Sequence, residues 1–298
     1  MKNIFADNIW QPIGMNEVSW NYEDIPASQL VHGYRWIGED WKEEALLSDG
    51  AFGAIGGIIT SLESFSRYVA LHQFAWPPRD EMETDPIKRS SIREMHQPWR
   101  FIDLVPNFKN LEDRTCAHTS AYGYGLNWTR DSQGRVFVGH TGGLPGFGSN
   151  WFIMPEYGLG VVFLANVTYA PTTKINLGVL DKLVVSAQLT PRKLPPSKIL
   201  QGGQKALLKL LPNWEHVTAG DVFAKNFFLD HSIEALKKET LELFAKAGDI
   251  ISVGDIVARS QLKGYFTLKC ETMDVRINFS LTPESPPLIH TILFNSKE

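Results

Sequence analysis

The residues best suited to chemistry lie in one stretch, Arg135–Pro155, which reads RVFVGHTGGLPGFGSNWFIMP. Within it His140, Thr141 and Gly142 follow one another, and Gly143 comes directly after. An imidazole exchanges a proton near neutral pH. Beside a hydroxyl and accessible backbone N–H groups it can hold a carboxylate or a developing oxyanion. Glycines at 142, 143, 146 and 148 let the backbone turn tightly and lie close to a ligand. Taken alone, the same residues also describe a glycine-rich hairpin that happens to carry one histidine.

Such a stretch needs elements to hold it. Arg135–His140 alternates and is β-branched enough for a strand, and Ser149–Met154 reads as its partner beyond the bend. Tyr124–Thr129 reads as a preceding strand, set off by the turn Asp131-Ser132-Gln133-Gly134. Gly158–Asn166 is a fourth strand. Its run Leu159–Ala165 is apolar throughout, as expected where both faces are covered. Thr172–Leu189 then reads as a helix burying Ile175, Val179, Leu183 and Val184.

Upstream, Asn3–Ile13 is a short amphipathic helix and Asn16–Ser48 a polar, aromatic loop region. Gly50–Gly57 fits neither a dinucleotide fingerprint nor a phosphate loop and reads as a tight turn. Thr60 and Glu63 form a capping box for a helix whose Leu62, Phe65 and Val69 share one face, and Pro77-Pro78 stops it. Ser91 with Glu94 starts a shorter helix, and Phe101–His118 is irregular. Downstream, Ala206–Leu211, Gly220–Leu229 and Ser232–Ala247 read as helices. Strand-like runs follow at Ile250–Arg259, Gly264–Cys270, Val275–Leu281 and Leu288–Phe294. Helices first and consecutive antiparallel strands after them describe a small α+β domain.

Composition sets the frame. At 298 residues, 43% hydrophobic and 21% charged, the chain has room for one large domain or two smaller ones. The net charge is −4 and the isoelectric point near 6.1, so no basic surface recommends nucleic acid or an anionic membrane as a partner. Up to Thr190 there are 15 basic and 21 acidic residues, and beyond it 14 and 12, which marks a boundary. With Pro191–Pro196 as a linker, the expected domains are 1–190 and 199–298, joined by 191–198. Cys116 and Cys270 suit buried thiols; they offer no disulfide framework or metal spacing, and no cofactor is expected. No apolar stretch is long enough to span a membrane, and Met1–Phe5 is not a signal peptide because Asp7 and Asn8 interrupt it, which leaves the compartment open.

The first part resembles the C-terminal portion of the penicillin-recognising serine hydrolases: β-lactamases, DD-peptidases and related esterases. The segments that carry the resemblance are Ile9–Met15 (IWQPIGM), Gly53–Val69, Tyr122–Trp128 (YGYGLNW) and Gly139–Phe152 (GHTGGLPGFGSNWF), in order. The resemblance implies an α+β fold, an antiparallel sheet flanked by helices. It also implies acyl transfer to a serine and hydrolysis of an ester, amide or lactam whose substrate, a small molecule or peptide, carries a carboxylate or acyl group. His140-Thr141-Gly142 stands where the family has Lys-Thr-Gly or His-Thr-Gly beside the active site. By that likeness His140 binds substrate carboxylate or relays protons, Thr141 and Gly142 bind substrate, and the Gly143 N–H is half of an oxyanion hole. The last domain more weakly resembles the cystatin-like α+β cones, through Leu262–Glu271 and Val275–Pro287, and is expected to be an accessory module.

The family's nucleophile lies in a Ser-x-x-Lys upstream of a Tyr-x-Asn, and neither stands here in that context. The one Ser-x-x-Lys, Ser260 to Lys263, falls between strand patterns of the last domain, and no tyrosine is followed two positions on by asparagine. The expectation is an incomplete fold, inactive alone, in which Leu159–Ala165 forms an unpaired sheet edge. Two other readings stand beside it: a non-catalytic ligand-binding protein that keeps the groove, and one half of a split enzyme that needs a separate N-terminal fragment. The remaining histidines show no metal-site spacing and read as surface or core residues.

Overall fold

The computed structural model describes residues 2–47, 50, 53–79, 81–83, 86–214, 222–230 and 232–297. Residues 51–52 of the glycine-rich run, residues 220–221, His216 and His231 lie outside the described residues. The chain divides into two units, Met1–Pro77 with Met82–Arg192, and Pro78–Glu81 with Lys193–Glu298.

The first unit begins with α1 (Lys2–Phe5), continued by a wider π-type turn over Ala6–Trp10 that buries Trp10. The expected loop region holds short strands instead: β1 (Val18–Ser19), then a ribbon of β2 (Tyr34–Ile37) and β3 (Asp40–Glu43). Its turn residues, Gly38 and Glu39, have φ of +55° and +75°, the signature of a tight type I′ hairpin. The ribbon escapes a periodicity search because most of its side chains are exposed on both faces. Next come α2 (Gly53–Gly56) and β4 (Ile59–Thr60), which pairs with β1.

Helix α3 (Leu62–Phe74) is capped one residue later than expected. Ser61 Oγ accepts from the Ser64 N–H at 3.0 Å, while Thr60 lies in β4 and its hydroxyl donates to the Glu17 carbonyl at 2.9 Å. Its buried side chains are Ser64, Val69, Leu71 and His72, and Leu62 is exposed. Helix α4 (Arg89–Met95) starts ahead of the expected Ser91 cap, with Lys88 at its N-cap and no side-chain cap bond.

Six strands then form an antiparallel meander in chain order: β5 (Arg100–Val105), β6 (His118–Tyr122), β7 (Asn127–Asp131), β8 (Val136–Leu144), β9 (Phe147–Met154) and β10 (Leu159–Ala165). Strand β5 falls almost wholly within the expected irregular region Phe101–His118, β6 begins where that region ends, and the strand expected over Tyr124–Thr129 is β7, shifted to Asn127–Asp131. Strand β5 is legible only in hindsight, because as a sheet edge it leaves Phe101, Ile102 and Leu104 exposed. The β7–β8 turn is fixed by Asp131, whose Oδ1 accepts from the Gln133 and Arg135 N–H groups at 2.9 Å. At the other end of the sheet, β10 pairs only with β9 along its length, so its outer side has no strand partner among the described residues.

Side-chain parity shows why the inner strands read as unbroken apolar runs. Val138, Trp151 and Ile153 pack with Val69 of α3, while Phe137, Phe152 and Met154 pack with Leu180 of α5 (Thr172–Ser186). Helix α5 buries only part of the expected face, where Val184 packs with Leu180 on the core. Val179 and Leu183 are exposed, and Asn176 is fully buried one turn before Leu180. The polar residue is inside because its Nδ2 donates to Asn150 Oδ1 at 2.7 Å and to the Asn150 carbonyl at 3.0 Å.

In the second unit, α6 (Lys198–Leu210) is capped by Ser197 and α8 (Ile233–Ala247) by Ser232, each accepting from the N–H three residues on. Between them α7 (Phe227–Asp230) is a single turn, much shorter than the expected Gly220–Leu229 helix. The expected run Ile250–Arg259 is two strands, β11 (Ile250–Val253) and β12 (Val257–Ala258), broken at Gly254 and Asp255. Both pair with β13 (Lys263–Cys270), followed by β14 (Asp274–Leu281) and β15 (Ile289–Lys297). Here alternation is clean: Phe266, Leu268, Val275, Ile277 and Phe279 face Leu200, Leu207, Leu236 and Phe244 in one core. Each unit is therefore α+β, an antiparallel sheet with helices packed on it.

Candidate functional site

Strand β8 is longer than its neighbour on one side. β7 ends opposite Gly139 (Asn127 pairs with Gly139), whereas β9 accompanies β8 all the way from Val138 to Leu144. Among the described residues His140–Leu144 thus has a strand on one edge only, and Thr141, Gly142, Gly143 and Leu144 are exposed. An open strand edge presents backbone N–H and C=O groups to whatever lies beside it. The structure places all four sequence-derived residues, His140, Thr141, Gly142 and Gly143, on this one edge.

His140 is half-buried and both ring nitrogens are engaged. Nδ1 lies 2.6 Å from the Thr141 carbonyl oxygen, which can only accept, so Nδ1 carries the proton. In the neutral ring Nε2 is then an acceptor, and Tyr122 Oη donates to it at 3.0 Å. The pair is a hydroxyl–imidazole couple built from the end of β6 and the middle of β8.

The glycines here are steric necessities. A Cβ on Gly142 would run into Ser149 Oγ, and one on Gly143 would stand 2.7 Å from Cε1 of Tyr169. Gly139, just before the histidine, faces Trp151: a Cβ there would overlap the Trp151 carbonyl oxygen and lie 2.8 Å from its carbon. Gly139→Ala should therefore destabilise the first unit by about 3 kcal/mol or more, read as a lower urea midpoint, because the clash is with paired backbone that cannot move aside.

The tip of the β8–β9 hairpin is Pro145-Gly146, with Gly146 at φ +85° as position three of a type II turn requires. It is clamped. The Gly146 N–H donates to Thr168 Oγ1 at 2.7 Å, and the backbone of Gly33 approaches so closely that a Cβ on it would be 2.6 Å from the Gly146 oxygen. Gly33 is held in turn: its carbonyl accepts from the Glu44 N–H at 2.9 Å, and Tyr34 N–H donates to Asn166 O at 3.0 Å. Below the tip, buried Asn150 pairs across the strands with Thr141 and is fixed by Asn176.

Tyr122, Asn150, Asn176 and Tyr169 were not found from sequence. Tyr122 and Asn150 had a signal, as members of the YGYGLNW and GHTGGLPGFGSNWF segments. The lone Ser-x-x-Lys proves to be a hairpin turn of the second unit. Ser260 Oγ accepts from the Leu262 N–H at 3.2 Å, the Ser260 N–H donates to the Lys263 carbonyl at 3.0 Å, and both residues are exposed. Nor do the other histidines form a site of that kind. His72 and His96 are a buried pair, and among the described residues no three His, Cys, Asp or Glu side chains could hold a metal. No helix among them is long and apolar enough to cross a membrane.

The family profile described as Beta-lactamase matches residues 1–185, well over half of the chain and all of the meander. The chain belongs to the beta-lactamase family. A relative of this beta-lactamase-family chain, the unguisins hydrolase ungD' of Aspergillus campestris (strain IBT 28561), is 25% identical over 173 residues, covering 56% of this chain and 29% of that protein. Among solved structures, the penicillin binding protein from Bacillus halodurans aligns at a TM-score of 0.42 and 15% identity, over 60% of this chain and 48% of that one. The D-stereospecific amidohydrolase from Streptomyces sp. gives 0.42 and 19%, over 60% and 47%. The chain thus spans less than a third of the curated relative and about half of each of these structures.

Proposed function

We propose that the open edge of β8 is the substrate-facing wall of a beta-lactamase-type acyl-transfer hydrolase acting on an ester, amide or lactam. The observation that carries this is the exposed stretch at Gly142 and Gly143 beside the Tyr122–His140 couple, on an edge with no strand partner among the described residues. An N–H on such an edge can donate to an acyl oxygen as negative charge develops on it, and because strand and turn are already fixed, little reorganisation is needed. Both nitrogens of His140 are engaged within the chain, which favours proton relay through Tyr122 Oη over direct pairing with a substrate carboxylate. Thr141 and Gly142 line the same edge as binding groups. The covalent step needs an activated serine, and the sequence supplies none in the family's context. In this reading a complete site takes its nucleophile from a further segment, of the same polypeptide or of a separate N-terminal fragment.

A second reading, a binding protein that keeps the groove without chemistry, is favoured by the turn geometry of Ser260–Lys263, which leaves this chain no alternative nucleophile of that motif. Both readings require the wall to bind. In a titration with N-acetylglycine, followed by amide NMR, the Thr141, Gly142 and Gly143 resonances should shift saturably. Thr141→Ala, which removes a hydroxyl from the same edge, should weaken binding about three- to tenfold, the range for losing one hydrogen bond to a charged or polar group. No saturable shift in these residues, or shifts confined to other parts of the chain, would remove the assignment of the wall.

A further inference from the structure

Tyr169 stands out in the loop between β10 and α5. Its φ is +50°, a left-handed conformation that bulky residues seldom adopt, and its side chain is 73% exposed. Yet its ring is not loose in space: Cε1 and Cδ1 lie where a side chain on Gly143 would begin, 2.7 and 2.8 Å from that virtual Cβ. The loop is fixed on both sides of it. Thr168 N–H donates to the Tyr34 carbonyl at 2.9 Å, its hydroxyl receives the Gly146 N–H, and Ala170 N–H donates to Val167 O at 3.3 Å. The fold thus holds a strained residue so that an exposed aromatic face rests on the glycine that bears the proposed oxyanion donor. A mere filler of the space over Gly143 would be buried by its neighbours, and this ring is not. Asn166 and Val167, just before this residue, line an open cavity of about 290 Å³ with Tyr34 and Trp41.

We propose that Tyr169 is a specificity-determining residue, a platform on which an aromatic acyl group of the substrate stacks while its carbonyl oxygen meets the Gly143 N–H. The inference rests on the reading of Gly143 given above. Aromatic rings gain most by stacking offset or edge-on against another ring, so the class selected is arylacetyl or similar acyl compounds over short aliphatic ones.

The test compares N-phenylacetylglycine with N-acetylglycine, two ligands of equal charge, by NMR titration of the full chain. The unaltered chain should bind the phenylacetyl compound about three- to tenfold more tightly, the size of one aromatic contact. Tyr169→Phe should keep that ratio, and Tyr169→Gly should collapse it toward one. The glycine variant should fold with an unchanged or higher melting temperature, since glycine adopts φ +50° without strain. Equal affinities in the unaltered chain, or a ratio that survives Tyr169→Gly, would overturn the proposal while the Gly143 wall stands. If neither ligand binds, the wall itself falls and Tyr169 loses its role with it.

Discussion

Treated with a fluorophosphonate or with a penicillin, the chain should return its unmodified mass, and short chromogenic esters should remain intact. The reason is chemical. Acyl transfer runs through an activated serine, and losing the nucleophile forfeits on the order of 10⁶-fold in kcat in a well-studied serine protease, while oxyanion stabilisation and binding alone retain about 10³–10⁴ over water. On the function proposed above, His140, Tyr122 and the glycine backbone would offer the second contribution without the first. Intact-mass spectrometry decides the matter: a stoichiometric adduct on any serine, lost when that serine becomes alanine, would show a nucleophile of a different kind. Ser260 is the first to substitute, and its place in an exposed turn predicts no labelling. If a segment carrying Ser-x-x-Lys and Tyr-x-Asn is supplied in trans and activity appears, His140→Ala should lower it by about 10²-fold, the ordinary scale of one general acid–base group.

Acid should weaken the first unit progressively from about pH 6.5 downward. His72 Nδ1 and His96 Nε2 lie 2.8 Å apart in the interior, and Trp76 Nε1 donates to His96 Nδ1 at 2.8 Å. Since the indole only donates, His96 carries its proton on Nε2 and gives it to His72 Nδ1, so both rings are neutral. Burial pushes His72 down to about 4, and burial, then His72, then Arg93 push His96 down to about 3. In the unfolded chain both return to near 6.5. The unfolded state therefore binds more protons as pH falls below about 6.5, and stability, fully present above that value, declines until the folded-state values are reached. The expected loss by pH 4 is a few kcal/mol, on the order of two histidines each shifted by a couple of units. Urea midpoints at a series of pH values would show it, and imidazole NMR supplies an independent check. Ring resonances of His72 or His96 that titrate near 6.5 in the folded protein would sink the prediction.

The site strand was the most legible part of this chain, for a physical reason. The inner parts of β8 and β9 are covered on both faces, so Val136–Val138 and Trp151–Met154 read as apolar runs; of the glycines between them only Gly146 lies in the turn, while Gly142, Gly143 and Gly148 are strand residues. Edge strand β5 was invisible because Phe101, Ile102 and Leu104 are exposed and answer to no periodic burial. The buried face of α5 was partly misread because hydrophobicity cannot foresee Asn176, which goes inside to satisfy Asn150 across 26 residues of sequence. The Trp76–His96–His72 chain joins α3 to the end of α4, and histidines 24 apart carry no local sign of meeting. Tyr169 was equally silent: a tyrosine in a short loop announces neither its left-handed φ nor the glycine beneath it.

The contact between Gly33 and Gly146 has a meaning for recombination. Neither position tolerates a Cβ while the other backbone stays where it is, since the virtual Cβ of each lies 2.6–2.9 Å from main-chain atoms of its counterpart. Although 113 positions separate them in sequence, they behave as a single locus. A chimaera that takes the hairpin tip from one relative and the 32–34 segment from another would inherit a mismatched joint unless both parents carry the paired glycines. Exchanging the two segments together is the route by which this wall can be grafted, reshaped or given a longer lip.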